Sequence, residues 1–474
     1  MFHRFRMLTL AGLIAAPLAV SQGGIDPADI PPDVRETVKT LITSAFEDET
    51  GLAFVEDLTT EIGPRLAGSE AEKRARDWSV ERLEALGFDT VRVEGFDIPF
   101  WTRVSERAEV VEPYPQPLVI TALGGSTSTP EGGVTAEIIR FESMAGLRAA
   151  DPDEVEGKIV FIDEMMTRTQ IGSGYGVAVA KRRDCAEVTM EKGGAACLIR
   201  SVGTQARRFP HTGMMARGDA VGAGPAAALS PPDADQLARL LERGPVTLSL
   251  DIEVETKTRV PSGNVIAELT GRERPEEIVL IGCHLDSWDL STGALDDAAG
   301  CGIVVGAAMQ IAALEERPKR TIRVVLYGAE EVGLLGATAY ARQHARDLPN
   351  HILASESDFG AGRIWRFQTN FGEGALPYAR AIQGVLMPLG VVPDDNEAMG
   401  GPDIGILRRS GVPVVTPGQD GTDYFDYHHT PDDTFDKIGP EALRQNVAVY
   451  AAFTYLAAEM DWDFRKAGPN SGTE

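Results

Sequence analysis

Seven histidines occur in the 474-residue chain, at positions 3, 211, 284, 344, 351, 428 and 429. His284 follows the apolar run EIVLIG at 277–282 and stands two residues before Asp286. An imidazole leaving a buried strand, beside a carboxylate able to accept its second N–H and fix its tautomer, suits a metal ligand. By itself such a histidine is more often structural. Downstream, Asp296 and Asp297 interrupt the small residues of GALDDAAG at 293–300; acids at a helix start are also ordinary caps. The next apolar stretch, TIRVVLY at 321–327, runs into Glu330 and Glu331, bracketed by Gly328 and Gly333. Asp358 closes HILASESD at 351–358, and His428–His429 precedes TPDDT at 430–434. Carboxylates gathered in one place repel one another unless a cation offsets them. With imidazoles beside them they make an oxygen and nitrogen donor set of the kind that holds a metal ion.

Such residues need strand ends to bring them together. EIVLIG and TIRVVLY are apolar enough to lie centrally in a sheet, and each leads into a glycine-containing loop before a helix, one of them over 298–314. The pattern predicts an α/β fold with a mixed, mostly parallel central sheet flanked by helices, its site at the carboxyl ends of strands. Residues 69–86 predict a helix that begins at a capping Ser69 and stops at Gly87, and Val91, Val93 and Phe96 suggest a strand after it. From about 110 to 255 the texture changes to short apolar runs cut by Gly and Pro, which predicts a compact, β-rich insert with one or two helices, notably over 179–192. The main domain is then discontinuous, 22–109 and 256–466, with a polar tail at 467–474.

Hydrophobic residues make up 43% and charged residues 24% of the chain, ordinary globular usage that argues against wholesale disorder and a polytopic membrane protein. A net charge of −26 repels phosphate backbones and anionic headgroups, so a nucleic-acid partner is not expected. Arg4 and Arg6, the apolar run Met7–Val20 and the small residues at 19–21 follow the grammar of an export signal over residues 1–21. The run is shorter than the ~20 residues that span a bilayer. The mature protein is expected in the periplasm or outside the cell, without stable membrane insertion. Export permits disulfides; of the cysteines at 185, 197, 283 and 301, Cys185 and Cys197 are the favoured pair.

Taken in order, HLDSWD at 284–289, GALDDAAG at 293–300, GAEEVGLLGA at 328–337, Asp358 and HHTPDDT at 428–434 resemble the co-catalytic zinc exopeptidases. That family includes secreted bacterial aminopeptidases and carboxypeptidase Q. IGPRLAGS at 62–69 fits as well, DSWD and YFDYHHT look closer to carboxypeptidase Q, and the insert resembles a protease-associated domain. The resemblance covers nearly the whole mature chain and implies the zinc exopeptidase fold with two Zn²⁺ per chain. Asp296 would bridge them, His284 and Asp358 would complete one site, and Glu331 and His429 the other; His429 is preferred to His428 for its place before Thr430. The resemblance also implies a cis peptide between Asp296 and Asp297, and makes Glu330 the general base.

Asp286 and Asp297 would support the ligands from behind, and Trp288, Tyr424, Tyr427 and, from the insert, His211 are candidates to meet substrate. The implied reaction is metal-assisted hydrolysis of dipeptides or short unblocked peptides. An aminopeptidase on the same di-zinc site is the alternative. A glutaminyl cyclase-like acyltransferase and a metal-free receptor or scaffold are minor ones. Similar enzymes are often dimers, so a homodimer is left open.

Overall fold

A computed structural model describes residues 29–215 and 224–467. The expected export signal and nearly all of the polar tail lie outside the described residues. The chain enters through helices Pro32–Ala45, Thr50–Asp57 and Glu70–Leu86. The last of these starts where the Ser69 side chain accepts from the Glu72 N–H at 3.1 Å, and ends at Gly87, whose φ of 92° a side chain would disfavour. A long strand, β1 (Thr90–Glu112), follows. Shorter strands come next: β2 (Gln116–Leu118), β3 (Ile120–Ala122), β4 (Val134–Phe141), β5 (Ile159–Ile162), β6 (Ala196–Arg200) and β7 (Ala226–Leu229). Then come a second 23-residue strand, β8 (Thr247–Leu269), and β9 (Arg274–His284), β10 (Arg320–Tyr327), β11 (His351–Glu356), β12 (Ile364–Asn370), β13 (Val392–Pro393) and β14 (Val414–Gln419).

The strands lie in the order β13-β12-β14-β11-β9-β10-β8, continuing through β4-β5-β6-β7-β3. β10, β9, β11 and β14 run parallel, while β12 is antiparallel to β14 and parallel to β13, and β8 is antiparallel to β10. β9 and β10 are buried on both faces for most of their length, which is why they read as continuous apolar runs. One covering layer includes helix Ala299–Ala312, itself buried nearly all round between the sheet and helices Thr50–Asp57 and Pro440–Glu459. Parallel pairing sets His284 opposite Tyr327 and Gly282 opposite Glu356, so three chain segments leave the sheet at one edge.

β1 and β8 pair antiparallel along almost their whole length, Thr90 with Glu268 at one end and Glu112 with Thr247 at the other. One end of this ribbon joins the main sheet through β10, and the other carries β2 and β4. Between its strands the chain forms parallel β4, β5, β6 and β7, with helix Ser173–Glu191 crossing from β5 to β6. That helix begins six residues before the expected 179: Gly174 and Gly176 lower helix propensity in its first turn, and tertiary packing overrides them. Cys185 and Cys197 are disulfide-bonded, tying the helix to β6. A second disulfide, which the sequence did not signal, joins Cys283 at the end of β9 to Cys301 in helix Ala299–Ala312.

Candidate metal centre and substrate cavity

The strand ends of β9, β10 and β11 deliver His284, the Glu330–Glu331 loop and Asp358 to one edge, where a cavity of about 570 Å³ opens. His284 points its Nε2 at Asp296, 3.1 Å from Oδ1, and lies 3.6 Å from Asp358 Oδ1. On the other side of the same carboxylate, Asp296 Oδ2 is 3.2 Å from His429 Nε2, which is also 2.9 Å from Glu331 Oε2. One carboxylate therefore faces two donor groups. The peptide bond between Asp296 and Asp297 is cis.

The donor set fits cations. Asp296 Oδ2 and Glu331 Oε1 are buried acceptors without a hydrogen-bond partner, costly in a protein interior unless something positive sits against them. His284, Asp296 and Asp358 each offer an atom within 4.8 Å of the others, and so do Asp296, His428 and His429. Burial alone would depress both ligand-candidate imidazoles. Hydrogen bonds that it donates to Asp296 and Asp358 nevertheless hold His284 well above its ordinary range, and Glu331 with Asp296 raises His429 to about 9. The same field would attract a metal ion. His428 stacks on His429 with ring centroids 3.6 Å apart, and its Nε2 is 3.6 Å from Asp296 Oδ2. Burial and the neighbouring His429 push His428 well below its ordinary range.

Supporting contacts orient these groups. The second nitrogen of His284 donates to the backbone carbonyl of Asp286 at 2.9 Å, so the acceptor expected from the Asp286 side chain is instead its main chain. The Asp286 carboxylate does different work: it accepts the backbone N–H groups of Glu330 at 3.0 Å and Glu331 at 3.3 Å, anchoring the loop that bears both glutamates. Asp297 accepts from the His284 N–H and from the Gly300 N–H, joining the strand end to the helix start. At Gly300 a Cβ would stand 1.9 Å from the Ser357 carbonyl, so no side chain fits there. His429 Nδ1 faces the Thr212 carbonyl at 3.2 Å, which leaves Nε2 free for the centre. Among the described residues, the non-glycine residues with positive φ are Ala329, Leu334 and His429, all at this site. Strain of order 1–3 kcal/mol each is typical of positions held by function.

Glu330 lines the cavity. Loss of hydration pushes its carboxyl well above the usual range; His284 opposes this, while Asp358, Glu331 and Asp286 reinforce it. A glutamate so placed faces the space where a water and a substrate would meet, and can accept and return a proton there. Of the residues expected to meet substrate, Tyr424 lines the cavity. Trp288 does not: it is 4% exposed, packs against Trp101, and donates its indole N–H to Glu331 Oε2 at 2.6 Å. Nor does His211, buried at 1% exposure, whose Nδ1 faces the His428 carbonyl at 2.7 Å. Both act on the ligands' surroundings rather than on the cavity wall. Tyr427 lies under Arg207 and Lys437, away from the cavity.

Two residues were missed by reading the sequence. Arg65, fully buried, donates to the carbonyls of Gly63, Leu285, Thr292 and Gly293, clamping the loop between His284 and Asp296. Asp433 accepts the N–H groups of Leu295 at 2.6 Å and Asp296 at 3.2 Å. Burial, with Asp296 nearby, raises its carboxyl to about 7. Both residues sit inside motifs already noticed, IGPRLAGS and HHTPDDT, but nothing local says that they hold backbone far away in sequence.

Comparison with known proteins gives a consistent result. Residues 264–454 match the model of peptidase family M28. Carboxypeptidase Q of Mus musculus is 34% identical over 405 residues, covering 85% of this chain and 84% of that protein. Among solved structures, a peptidase M28 precursor from Shewanella amazonensis SB2B is 47% identical with a TM-score of 0.90, covering 92% of this chain and 99% of that one. A zinc aminopeptidase from Bacillus subtilis, 22% identical with a TM-score of 0.64 over 88% of this chain and 98% of that one, shares the fold.

Proposed function

The chain belongs to peptidase family M28, and from that premise we propose that it is a zinc-dependent exopeptidase hydrolysing dipeptides or short unblocked peptides, as its likeness to carboxypeptidase Q suggests. The observation that carries the reading is the shared carboxylate of Asp296, 3.1 Å from His284 on one side and 3.2 Å from His429 on the other. His284 with Asp358 would hold one zinc, Glu331 with His429 the other, and Asp296 both. Zinc bound there supplies Lewis acidity toward the scissile carbonyl and a lowered pKa for water. Glu330 takes the water proton at its carboxylate and passes it to the leaving amine. Asp286 keeps Glu330 in reach by fixing its backbone N–H. Trp288 aims Glu331, and the Thr212 carbonyl aims His429.

The region 110–255 is read as a protease-associated insert that covers the cleft, supported by the side-by-side exit and return of the chain along β1 and β8. Export rests on the basic and apolar start of the sequence, the absence of a nucleic-acid partner on the charge of −26, and a homodimer on the resemblance alone. The mass of the secreted chain and sedimentation test the first and last. Aminopeptidase specificity is the second reading, favoured by the fold shared with the B. subtilis enzyme.

The test is a panel of free dipeptides, end-capped dipeptides and amino-acid anilides, with zinc quantified. Chelation should abolish hydrolysis and added Zn²⁺ should restore it, with free dipeptides cut best. Full activity in protein shown to be metal-free would overturn the metallopeptidase reading. Preference for anilides would select the aminopeptidase.

A further inference from the structure

The residue before His284 on β9 is Cys283, and its disulfide partner Cys301 stands in the first turn of helix Ala299–Ala312. Both cysteines are fully buried. The bridge spans 18 positions, and the chain between its ends contains His284, Asp286, Trp288, Asp296 and Asp297. It therefore closes the loop that carries donors to the metal centre, the carboxylate that anchors Glu330 and Glu331, and the indole that aims Glu331. Cys301 Sγ lies 3.2 Å from the His284 carbonyl oxygen, so the bridge packs on the backbone of that candidate ligand. Asp297 joins the same two ends a second time, through the N–H groups of His284 at 3.1 Å and Gly300 at 3.0 Å. Arg65 grips the stretch between them at Leu285, Thr292 and Gly293.

Crowded carboxylates push such a loop open. Asp296 and Asp358 press their charge on Asp297, and acids gathered this closely repel one another until cations arrive. Hydrogen bonds can yield to that repulsion, whereas a covalent bond between the loop's ends does not. Resting on the zinc exopeptidase reading above, we propose that the Cys283–Cys301 disulfide is a positioning device of the metal centre: it presets His284 and Asp296 for the zinc they share with Asp358, so that this zinc is held tightly only in the oxidised chain. A preset geometry binds better because less order has to be created on binding. His284 and Asp296 both lie in the closed loop, while of the residues read as holding the other zinc only Asp296 does. Forming the bridge takes two protons and two electrons from the two thiols, and a disulfide-bearing oxidant of an exported compartment accepts them and becomes a dithiol. Because the cysteines are buried, a reductant reaches them only when the fold opens, so the bridge acts at assembly and not as a reversible switch.

The test measures zinc retained per chain against a graded chelator, beside the urea unfolding midpoint, in wild type and two paired variants. Cys283→Ala with Cys301→Ala should release one zinc at chelator strengths about 10- to 100-fold lower than wild type, the usual cost of losing a group that orients a ligand, with the other zinc leaving later. Cys185→Ala with Cys197→Ala removes the other disulfide, which encloses none of the proposed ligands. It should lower the urea midpoint and keep the wild-type zinc curve. In zinc-free protein, amide exchange across residues 284–300 should be faster in the first pair and unchanged in the second. Should the first pair fail to fold, the second refolded with Cys283 and Cys301 as thiols carries the test: it should show the early zinc loss, and oxidation by glutathione disulfide should reverse it. Equal zinc loss in both pairs would mean that each disulfide matters only through overall stability, and would overturn the proposal. So would a thiol form or alanine pair with the wild-type zinc curve, or one whose two zincs leave together. Wild type that binds no zinc at all would instead remove the zinc exopeptidase reading.

Discussion

Glu330 and Glu331 are neighbours with the same side chain, and their surroundings separate them. The Glu331 carboxylate is gripped by the Trp288 indole at 2.6 Å and faces His429 at 2.9 Å, so it is aimed into the donor cluster, whereas Glu330 lines the cavity. Glu330→Gln should therefore cut turnover by about 10² to 10⁴ while zinc stays near that of wild type, because only the proton acceptor is lost. Asp296→Ala should lose zinc along with activity, since both donor groups depend on that carboxylate; elemental analysis beside steady-state rates separates the two outcomes. A glutamine at 330 that emptied the site while one at 331 did not would reverse the two roles. Trp288→Phe keeps the packing against Trp101 and removes one N–H. It should weaken zinc retention by about 10- to 100-fold, the usual cost of losing a group that orients a ligand, read by metal content after dialysis against a graded chelator.

At the scale of elements, β11 is held by a histidine that must stay neutral. His351 opens the strand; its Nδ1 faces the Asp347 carbonyl at 3.0 Å and its Nε2 the Tyr340 hydroxyl at 2.7 Å, a pairing that suits one donor and one acceptor nitrogen. Burial is the main cause that lowers its pKa to about 4, with Arg323 adding to it. A base whose folded pKa lies below its unfolded value of about 6.5 is protonated more readily when unfolded. Its contribution to stability is thus intact above about pH 6.5 and is lost as pH falls from there toward 4. Between pH 7 and pH 5 the loss from this residue should be about 2 kcal/mol. Urea unfolding at both values should show wild type losing that much more than His351→Phe; identical acid dependence in the two proteins would remove His351 as the cause. The strand matters for function because it leads, two residues past its end, to Asp358.

At the scale of the whole molecule, the cavity is walled from two directions. Loops at the ends of the main sheet supply the acids and histidines, and helix Ser173–Glu191 closes over them. The two sides are linked: Arg168 reaches Asp423 at 2.8 Å and the Thr422 carbonyl at 2.7 Å, Arg207 meets Asp432, and the backbone of Thr212 donates to the His429 carbonyl at 3.0 Å. Excluding water from such a site strengthens its electrostatics, and a covered site admits a dipeptide more readily than a folded chain. Casein should accordingly remain uncut at internal bonds under conditions that turn over free dipeptides. Mass spectrometry of the digest would reveal internal fragments if the cleft were open enough for endoproteolysis.

Spacing along the chain marked His284, the Asp296–Asp297 and Glu330–Glu331 pairs, Asp358 and the His428–His429 pair as candidate donors, because such residues at strand ends sit in short motifs whose apolar run, glycine turn and acid can be read locally, while the choice within each pair came from the resemblance to the zinc exopeptidases. The α/β class was legible for the same reason: strands buried on both faces are continuous apolar words. Contacts between distant segments were not legible. Nothing near Arg65 says that it will grip the carbonyls of Leu285 and Gly293, and nothing near Asp433 says that it will hold the N–H groups of Leu295 and Asp296. Trp288, placed on the substrate side by its nearness to the ligands, and His211, placed there by the resemblance of its segment, are both buried, since the direction a side chain takes depends on what packs against it. The sequence by itself determined which donors exist and which strands carry them. Only the tertiary structure decided that one Asp296 carboxylate stands between two histidines 145 positions apart, and that a guanidinium from another part of the chain looks onto the same space, because those are matters of parallel register and packing across the sheet edge.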